Sequence, residues 1–495
     1  MKYYNLLPFM AVFAACNSGS KPENQCIPNI IYILADDMGF GDIQCQNNES
    51  KYPTPNIDQL AEQGCRFTDV HTNSSVSSPT RYGILTGRYA WRSRLKKGVL
   101  GGYSTPLIEK DRTTVASFLK DNGYNTAAIG KWHLGLNWAN EQGNPVFPSD
   151  TIIGLREWQL GYKVDFSKAV LEGPKDIGFD YSFIIPCSPD ASPYVYVENN
   201  KATQLPTKIT EAEGFGRKGL VVPGLKAEDI LIDFTEKAVE FINNQTNNKD
   251  PFFLYMPLSA PHKPVAPAQQ FKGLTKDIYG DFLCEVDWVV GQIMNALEKT
   301  GKEKNTIFIF TADNGASPNA AVSAVKNGHK PNRPYRGGKT LLWEGGHRVP
   351  FIVRWPGKVR PNSSNDDLYC TTDMLATVAD ILNKDLPENA GQDSRSMLAS
   401  ILGRDMGDEN RGAVIHHSVN GDFAIRNGSW KYITINHGGG WGNGRDFGMP
   451  ILPIQKEMEG QLYNIEDDVY ERNNLYQKNP EIVRELKDLL NKIKN

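Results

Sequence analysis

The segment Asn29 to Leu34 is a near-continuous apolar run, rich in isoleucine, that ends abruptly in Ala35-Asp36-Asp37. A strand with one wet face alternates apolar and polar residues. A run without that alternation is buried on both faces, the condition of a central strand in a parallel sheet. Similar runs recur along the chain. Strands are predicted at Arg66 to Val70, Asn125 to Gly130, Phe252 to Met256, Thr306 to Thr311 and Val349 to Arg354. Between them lie helical patterns at Ile57 to Gly64, Thr113 to Asn122, Ala227 to Asn244, Ile278 to Lys299 and Thr372 to Leu382. Strands alternating with helices imply an α/β domain, a mostly parallel central sheet flanked by helices. Its expected extent is residues 26–395.

Beyond about residue 400 the texture changes. Gly412 to His416, Asp422 to Arg426 and Trp430 to Thr434 read as short strands, and Asn479 to Lys494 as a closing amphipathic helix. Residues 396–495 are therefore expected to form a smaller C-terminal α+β subdomain. Asn436 to Phe447, glycine-rich around Trp441, reads as a loop. Residues 140–215 show little periodicity, and in a compact enzyme such a stretch builds a site.

At the other end, Met1-Lys2 and the apolar run Leu6 to Ala15 read as a signal peptide, too short to span a bilayer. Phe13-Ala14-Ala15-Cys16 resembles a bacterial lipobox, with Cys16 the lipidated residue. Residues 1–25 are thus read as signal, lipobox and tether, and the protein as exported, in the periplasm or as a surface lipoprotein of a bacterium. A plain secretory signal cleaved near Ala15 is the alternative. The other cysteines form no CxxC pair, which argues against a zinc ribbon. Export permits disulfides, but spacing assigns none. The 495 residues carry a net charge of −3, so no basic field argues for nucleic acid.

Two of the apolar strands end in acids: Asp36-Asp37 after the first, and Asp313-Asn314 after Thr306 to Thr311. In parallel α/β sheets ligands gather at the carboxyl ends of strands. Three carboxylates and an amide oxygen make a hard-oxygen site, which suits Ca²⁺ or Mg²⁺ rather than zinc. A single acidic pair after a strand is as readily a turn former; its repetition favours a metal.

Ser77-Ser78-Pro79-Thr80-Arg81 precedes a helix-like run that closes on Leu85-Thr86-Gly87-Arg88. Taken alone, serines before a proline cap helices. Basic residues sit in three further tight contexts. They are Lys131-Trp132-His133-Leu134-Gly135, Ala260-Pro261-His262-Lys263-Pro264, and Arg336-Gly337-Gly338-Lys339 ahead of Glu344-Gly345-Gly346-His347. Singly each is a surface charge or a satisfied histidine. Together they supply the cations and acids that cleavage of an anionic ester needs.

In this order, from Asp36 to about Pro350, the motifs resemble those of the formylglycine-dependent sulfatases of the alkaline phosphatase superfamily, in their serine form. The resemblance implies an alkaline phosphatase-like fold and hydrolysis of sulfate esters. It implies that a maturing enzyme oxidises Ser77 to formylglycine, and that Asp36, Asp37, Asp313, Asn314 and the modified Ser77 hold Ca²⁺, with Mg²⁺ the second choice. Arg81 would hold the formylglycine. Lys131 and Lys339 would bind sulfate oxygens, His133 would assist breakdown of the hydrated aldehyde, and His262 with Lys339 would serve the leaving oxygen. One hydroxyl of the hydrate attacks sulfur; the second then expels sulfate, a step unmodified serine lacks.

A sulfated carbohydrate is the leading substrate class. Trp91 to Lys97 and Val99-Leu100-Gly101-Gly102-Tyr103 resemble sulfatases acting on galactose or N-acetylgalactosamine sulfates. Asp190 and His347 are further substrate-side candidates, whereas His416 and His417 read as core or loop. Two other functions stay open: a phosphomonoester or phosphonate hydrolase of the same superfamily, and a non-catalytic glycan-binding lipoprotein.

Overall fold

The computed structural model describes residues 27–211, 214–404, 411–441 and 447–495. Cys16 and the rest of the signal segment lie outside the described residues. β1 (Asn29–Ala35) sits in the middle of a ten-stranded sheet because both its faces are apolar. Ile30, Tyr32 and Leu34 enter one core and Ile31, Ile33 and Ala35 the other. Each fully buried Ile or Leu contributes about 1.5–3 kcal/mol.

The remaining strands are β2 (Cys65–Phe67), β3 (Asn125–Lys131), β4 (Tyr181–Ile185), β5 (Val197–Glu198), β6 (Lys201–Ala202), β7 (Phe252–Pro257), β8 (Thr306–Ala312), β9 (Phe351–Arg354) and β10 (Ser363–Asn365). Their spatial order is β10-β2-β9-β8-β1-β7-β3-β4-β5-β6. From β8 to β4 every pairing is parallel. Antiparallel pairs frame that centre, β9 against β8 on one side and β5 against β4 on the other. The helices that flank this sheet are α1 (Pro55–Glu62), α2 (Ser77–Thr86), α3 (Val115–Asp121), α4 (Ile230–Asn244), α5 (Ile278–Lys299) and α6 (Met374–Leu382). α1, α4 and α5 cover one face of the sheet; α2, α3 and α6 cover the other. This is the mostly parallel, helix-flanked sheet that the alternation of patterns predicts.

Two details differ. Arg66 to Val70 is not one strand: after β2 the chain leaves the sheet, and Val70–His71 pairs instead with Tyr369–Cys370. The weakly periodic stretch holds β4, β5, β6 and the first strand of a hairpin, Lys208–Glu211, whose partner Lys218–Val221 lies just past it. Most of these strands have two to four residues, too few for a period to emerge.

A second, antiparallel sheet follows: β11 (Val414–His417), β12 (Phe423–Asn427), β13 (Trp430–Ile433) and β14 (Gln461–Asn464). α7 (Pro480–Lys494) presses Val483, Leu486 and Leu490 against Ile415 and Ile425. The five described cysteines, Cys45, Cys65, Cys187, Cys284 and Cys370, are free thiols. Among the described residues no helix is long and apolar enough to cross a membrane.

α5 also buries an acid. Glu285 is 0% exposed, and its carboxylate accepts the Ala268 N–H at 2.9 Å. Burial pushes its pKa up to about 8, against the partial relief of that N–H and of Lys272. Between an unfolded value near 4.3 and about 8, the native state holds a proton that the unfolded state releases. Stability therefore falls as pH rises across that window. Glu285→Gln, which keeps the acceptor oxygen, is expected to flatten the slope and to gain roughly 2–4 kcal/mol at pH 8. Denaturant titrations at pH 5 and pH 8 check this; equal wild-type stability at both pH values would refute it.

Candidate active site

β1 and β8 pair in register, with Ala35 beside Ala312, so the residues that follow each strand emerge together. The Asp37 N–H donates to Asp313 Oδ1 at 3.1 Å, and Asn314 Nδ2 donates to Asp37 Oδ1 at 2.8 Å. Asp36, Asp37, Asp313 and Asn314 are all buried. Asp37 holds left-handed backbone, φ 64°, a conformation costly for a residue with a Cβ and concentrated at functional sites. Gly315 next in line admits no side chain at all: a Cβ there would stand 1.8 Å from the Gly345 carbonyl oxygen. The Asp-Asn-Gly and Glu-Gly-Gly segments are thereby locked backbone to backbone.

α2 delivers the serine. Its cap residue is Val76, and Ser77 opens the first turn with no capping bond from its side chain. The hydroxyl instead points at the acids and at a lysine: 3.3 Å to Asp36 Oδ1 and 3.4 Å to Lys131 Nζ. Arg81, four residues on and so on the same helix face, is fully buried. Its guanidinium lies 2.7 Å from Asp313 Oδ2 and 3.5 Å from Asp36 Oδ1, and donates to the Lys131 carbonyl at 3.0 Å. Gly87 ends the helix at φ 62°, the usual glycine stop.

Lys131 closes β3, with Nζ 2.6 Å from Asp36 Oδ2. Burial opposes ionisation of Asp36, but Lys131 and Arg81 outweigh it and hold the carboxyl below its usual range. His133, again left-handed at φ 58°, donates Nε2–H to the Leu100 carbonyl at 2.8 Å. Its Nδ1 is left as a buried lone pair with no hydrogen-bond partner. Burial, then Lys131 and Arg81, hold its pKa well below the ordinary histidine value. His262 follows β7 with Nε2 3.6 Å from Asp37 Oδ2. Burial and Lys339 push it down to about 4. Lys339 Nζ reaches both oxygens of Asp37, at 2.6 and 2.8 Å. Burial disfavours that ammonium, but Asp37, Asp36 and Asp313 more than compensate and raise its pKa.

The donor set suits a hard divalent cation. Three buried carboxylates converge, and Asn314 Oδ1 has no hydrogen-bond partner. Ligand atoms of Asp36, Asp37 and His262 already lie within 4.8 Å of one another. The oxygen-rich cluster fits an alkaline-earth ion.

Ser77, His133, His262 and Lys339 open onto one cavity, and Asp190 stands on its wall. Asp190 pairs with the Arg217 guanidinium and accepts the Ser188 hydroxyl at 2.6 Å. Burial opposes its charge, yet His262 and Arg217 keep it ionised far below the usual carboxylate range. His347 is not brought to this cavity. It ends the one-turn helix Glu344–His347 and turns inward, where it stacks on His416 with ring centroids 3.7 Å apart. The two glycines that precede it admit a buried backbone turn as readily as a ligand, and here they make the turn. Arg217 and Trp441 also line the cavity and are missed by sequence reasoning. Arg217 lies just past the weakly periodic stretch, 27 residues beyond Asp190, where nothing marks the pair. Trp441 is visible as a lone aromatic in a glycine-rich loop, but its destination is not.

The sulfatase family model matches residues 28–384. The N-acetylgalactosamine-6-O-sulfatase of Bacteroides thetaiotaomicron is 34% identical over 541 aligned positions, covering 99% of this chain and 98% of that protein. Arylsulfatase G of Canis lupus familiaris is 30% identical over 92% of this chain and 82% of its own length. Among solved structures, a protein from a core Bacteroides thetaiotaomicron locus for glycosaminoglycan metabolism superposes with a TM-score of 0.79 at 34% identity. That match covers 95% of this chain and 99% of the other.

Proposed function

Because this chain belongs to the sulfatase family, and is thus a sulfuric ester hydrolase, we propose that it desulfates a glycan, an N-acetylgalactosamine or galactose sulfate, with a formylglycine made from Ser77. The observation that carries this reading is the position of Ser77. One hydroxyl stands over the buried acids and beside the Lys131 ammonium, on the cavity that His133, His262 and Lys339 share. The name of the 34% identical relative supports the choice of sugar.

Asp36, Asp37, Asp313 and Asn314 would hold the cation, Ca²⁺ for preference. When present, formylglycine supplies a hydrated aldehyde with two hydroxyls, one to attack sulfur and one to expel sulfate, and the cation supplies charge neutralisation. The chain's own side chains do the rest. Lys131 and Lys339 present ammonium groups to the sulfate oxygens, where charge accumulates. Arg81 holds Asp36 and Asp313 in place. His133 offers the unpartnered Nδ1 as a proton acceptor. His262 is neutral in the substrate-free site; an anionic ester beside it favours its protonated form, which then donates to the departing sugar oxygen.

The test is a desulfation screen on N-acetylgalactosamine, galactose and glucosamine sulfates and on para-nitrophenyl sulfate, phosphate and phosphonate, with mass spectrometry of the Ser77 peptide. Release from galacto-configured sulfates by protein carrying the aldehyde is expected. Preference for the phosphorus esters refutes the substrate class, and full activity with intact serine refutes the nucleophile. Asp190 faces the sugar in this reading. Asp190→Asn is expected to raise KM for the sugar sulfate about tenfold or more, the value of a hydrogen bond to a charged group, and to leave para-nitrophenyl sulfate turnover nearly unchanged. An equal loss on both substrates would place Asp190 in the chemistry rather than in recognition.

A further inference from the structure

Where the two sheets meet, the chain buries a second cluster of histidines. His71 lies on Val70–His71, His347 ends the Glu344–His347 turn, and His416 belongs to β11. All three are 0% exposed, and none lines the active-site cavity.

Their partners constrain where their protons lie. His71 Nε2 stands 2.7 Å from Asp69 Oδ1 and must donate, because a carboxylate only accepts. Burial opposes charge on Asp69, but Arg348 and His71 hold it ionised. His416 Nδ1 lies 2.9 Å from the Thr72 carbonyl and donates to it. His347 Nε2 lies 2.9 Å from the Leu342 carbonyl and 3.2 Å from Lys431 Nζ. That ammonium, 2.8 and 2.9 Å from Glu344 and Glu471, has a third N–H, so His347 has two tautomers open to it: Nε2–H toward the carbonyl with Nδ1 bare, or Nε2 accepting from Lys431 with the proton on Nδ1. His71 and His416 thus donate one N–H each, to a carboxylate and to a backbone carbonyl, and His347 does the same in its Nε2–H tautomer. In that tautomer three lone pairs are bare: His71 Nδ1, His347 Nδ1 and His416 Nε2.

The two Nδ1 atoms face each other at 2.9 Å, and His416 Nε2 has no hydrogen-bond partner. A ring nitrogen from each histidine lies within 4.8 Å of those of the other two. Two lone pairs do not rest at 2.9 Å: either His347 carries its proton on Nδ1 and donates it to His71, or a metal lies between them. Burial lowers the pKa of all three rings, which disfavours an added proton. Histidine ligands to metals carry the same signature: the far nitrogen donates to a carboxylate or carbonyl, and the near one is free.

We propose that His71, His347 and His416 form a buried three-nitrogen site for a zinc-class transition metal, distinct from the oxygen cluster at Ser77. Imidazole nitrogen suits such ions, whereas the carboxylates at Ser77 suit alkaline earths. Two nitrogens on a tetrahedral zinc stand about 3.3 Å apart, so His71 and His347 need only a small separation. The larger adjustment is at His416, which lies nearly parallel to His347, at 11°, and must swing its Nε2 out of that stack. Bound there, the metal would tie the strand after β2, the Glu-Gly-Gly turn and the second sheet into one joint.

Elemental analysis and cobalt substitution test this without reference to turnover. The full chain, produced in zinc-supplemented medium and never exposed to chelator, is expected to retain stoichiometric zinc through gel filtration. Protein produced with cobalt is expected to show visible d–d bands of nitrogen ligation. His416→Gln should lose the zinc and the bands, whereas zinc held at the Asp36 and Asp37 cluster would persist in that variant. Wild type that takes up neither metal overturns the site, as does a folded His416→Gln that keeps the full complement. If His416→Gln does not fold, the metal content and cobalt spectrum of the wild type decide.

Discussion

Ser77→Ala is expected to reduce sulfate release by about 10⁴-fold or more, the scale on which removing a nucleophile acts, and to leave stability within about 1 kcal/mol. The two halves rest on different observations. The hydroxyl is the group that touches both the acids and the lysine. Yet its contacts are long, 3.3 and 3.4 Å, and Lys131 keeps Asp36 at 2.6 Å without it. Removing it therefore strands no buried charge. Sulfate release by ion chromatography, set beside a denaturant curve, checks both. Activity within tenfold of matured wild type would remove Ser77 from the chemistry. Loss of the fold would make it structural.

Lys431→Met is the opposite case, and a loss of about 3–5 kcal/mol is expected. Lys431 projects from β13, 0% exposed, with Nζ 2.8 Å from Glu344 Oε1 and 2.9 Å from Glu471 Oε1. Burial works against the charge on Glu344, and Lys431 leads the cations that overcome it. Methionine fills the volume but leaves Glu471 without its cation, beside a Glu344 that keeps Arg348 at 3.1 Å and Arg426 at 3.5 Å. The denaturation midpoint should fall with little change in slope, since the surface exposed on unfolding is the same. Adding Glu471→Gln should restore part of the loss, because it removes the stranded charge. A single-variant loss below about 1 kcal/mol would show that water or rearrangement serves these acids instead.

The same physics decides what can be read from the chain alone. β1 is legible because burial on both faces leaves it without polar alternation, and Asp36, Asp37, Asp313 and Asn314 because acids directly after apolar strands stand out. Their convergence follows from the parallel register of β1 and β8, itself implied by the alternation of strands and helices. The break after β2 is not legible. Phe67 and Val70 are both apolar and buried, and a change of hydrogen-bond partner between them leaves no trace in side-chain character. His347 misleads because Glu-Gly-Gly-His and Gly-Gly-Lys look alike as polar residues after paired glycines. Whether such a side chain turns toward a cavity or into the core is settled by half a turn of backbone. Arg217 reaches Asp190 through a hairpin whose strands have four residues each, below the length at which a pattern can be seen.

The central place of β1 has a consequence for how the chain is made. Its neighbours on either side, β7 and β8, begin at Phe252 and Thr306, more than 200 residues downstream of Ala35. At ribosomal rates of about 5–20 residues per second, the first partner strand arrives on the order of 10–40 s after β1. Throughout that interval Asn-Ile-Ile-Tyr-Ile-Leu-Ala is an uncharged, proline-free segment of high β propensity with nothing to pair against, the composition that stacks into aggregates. The strand that makes the finished sheet hardest to unravel is, during synthesis, the one most in need of a chaperone.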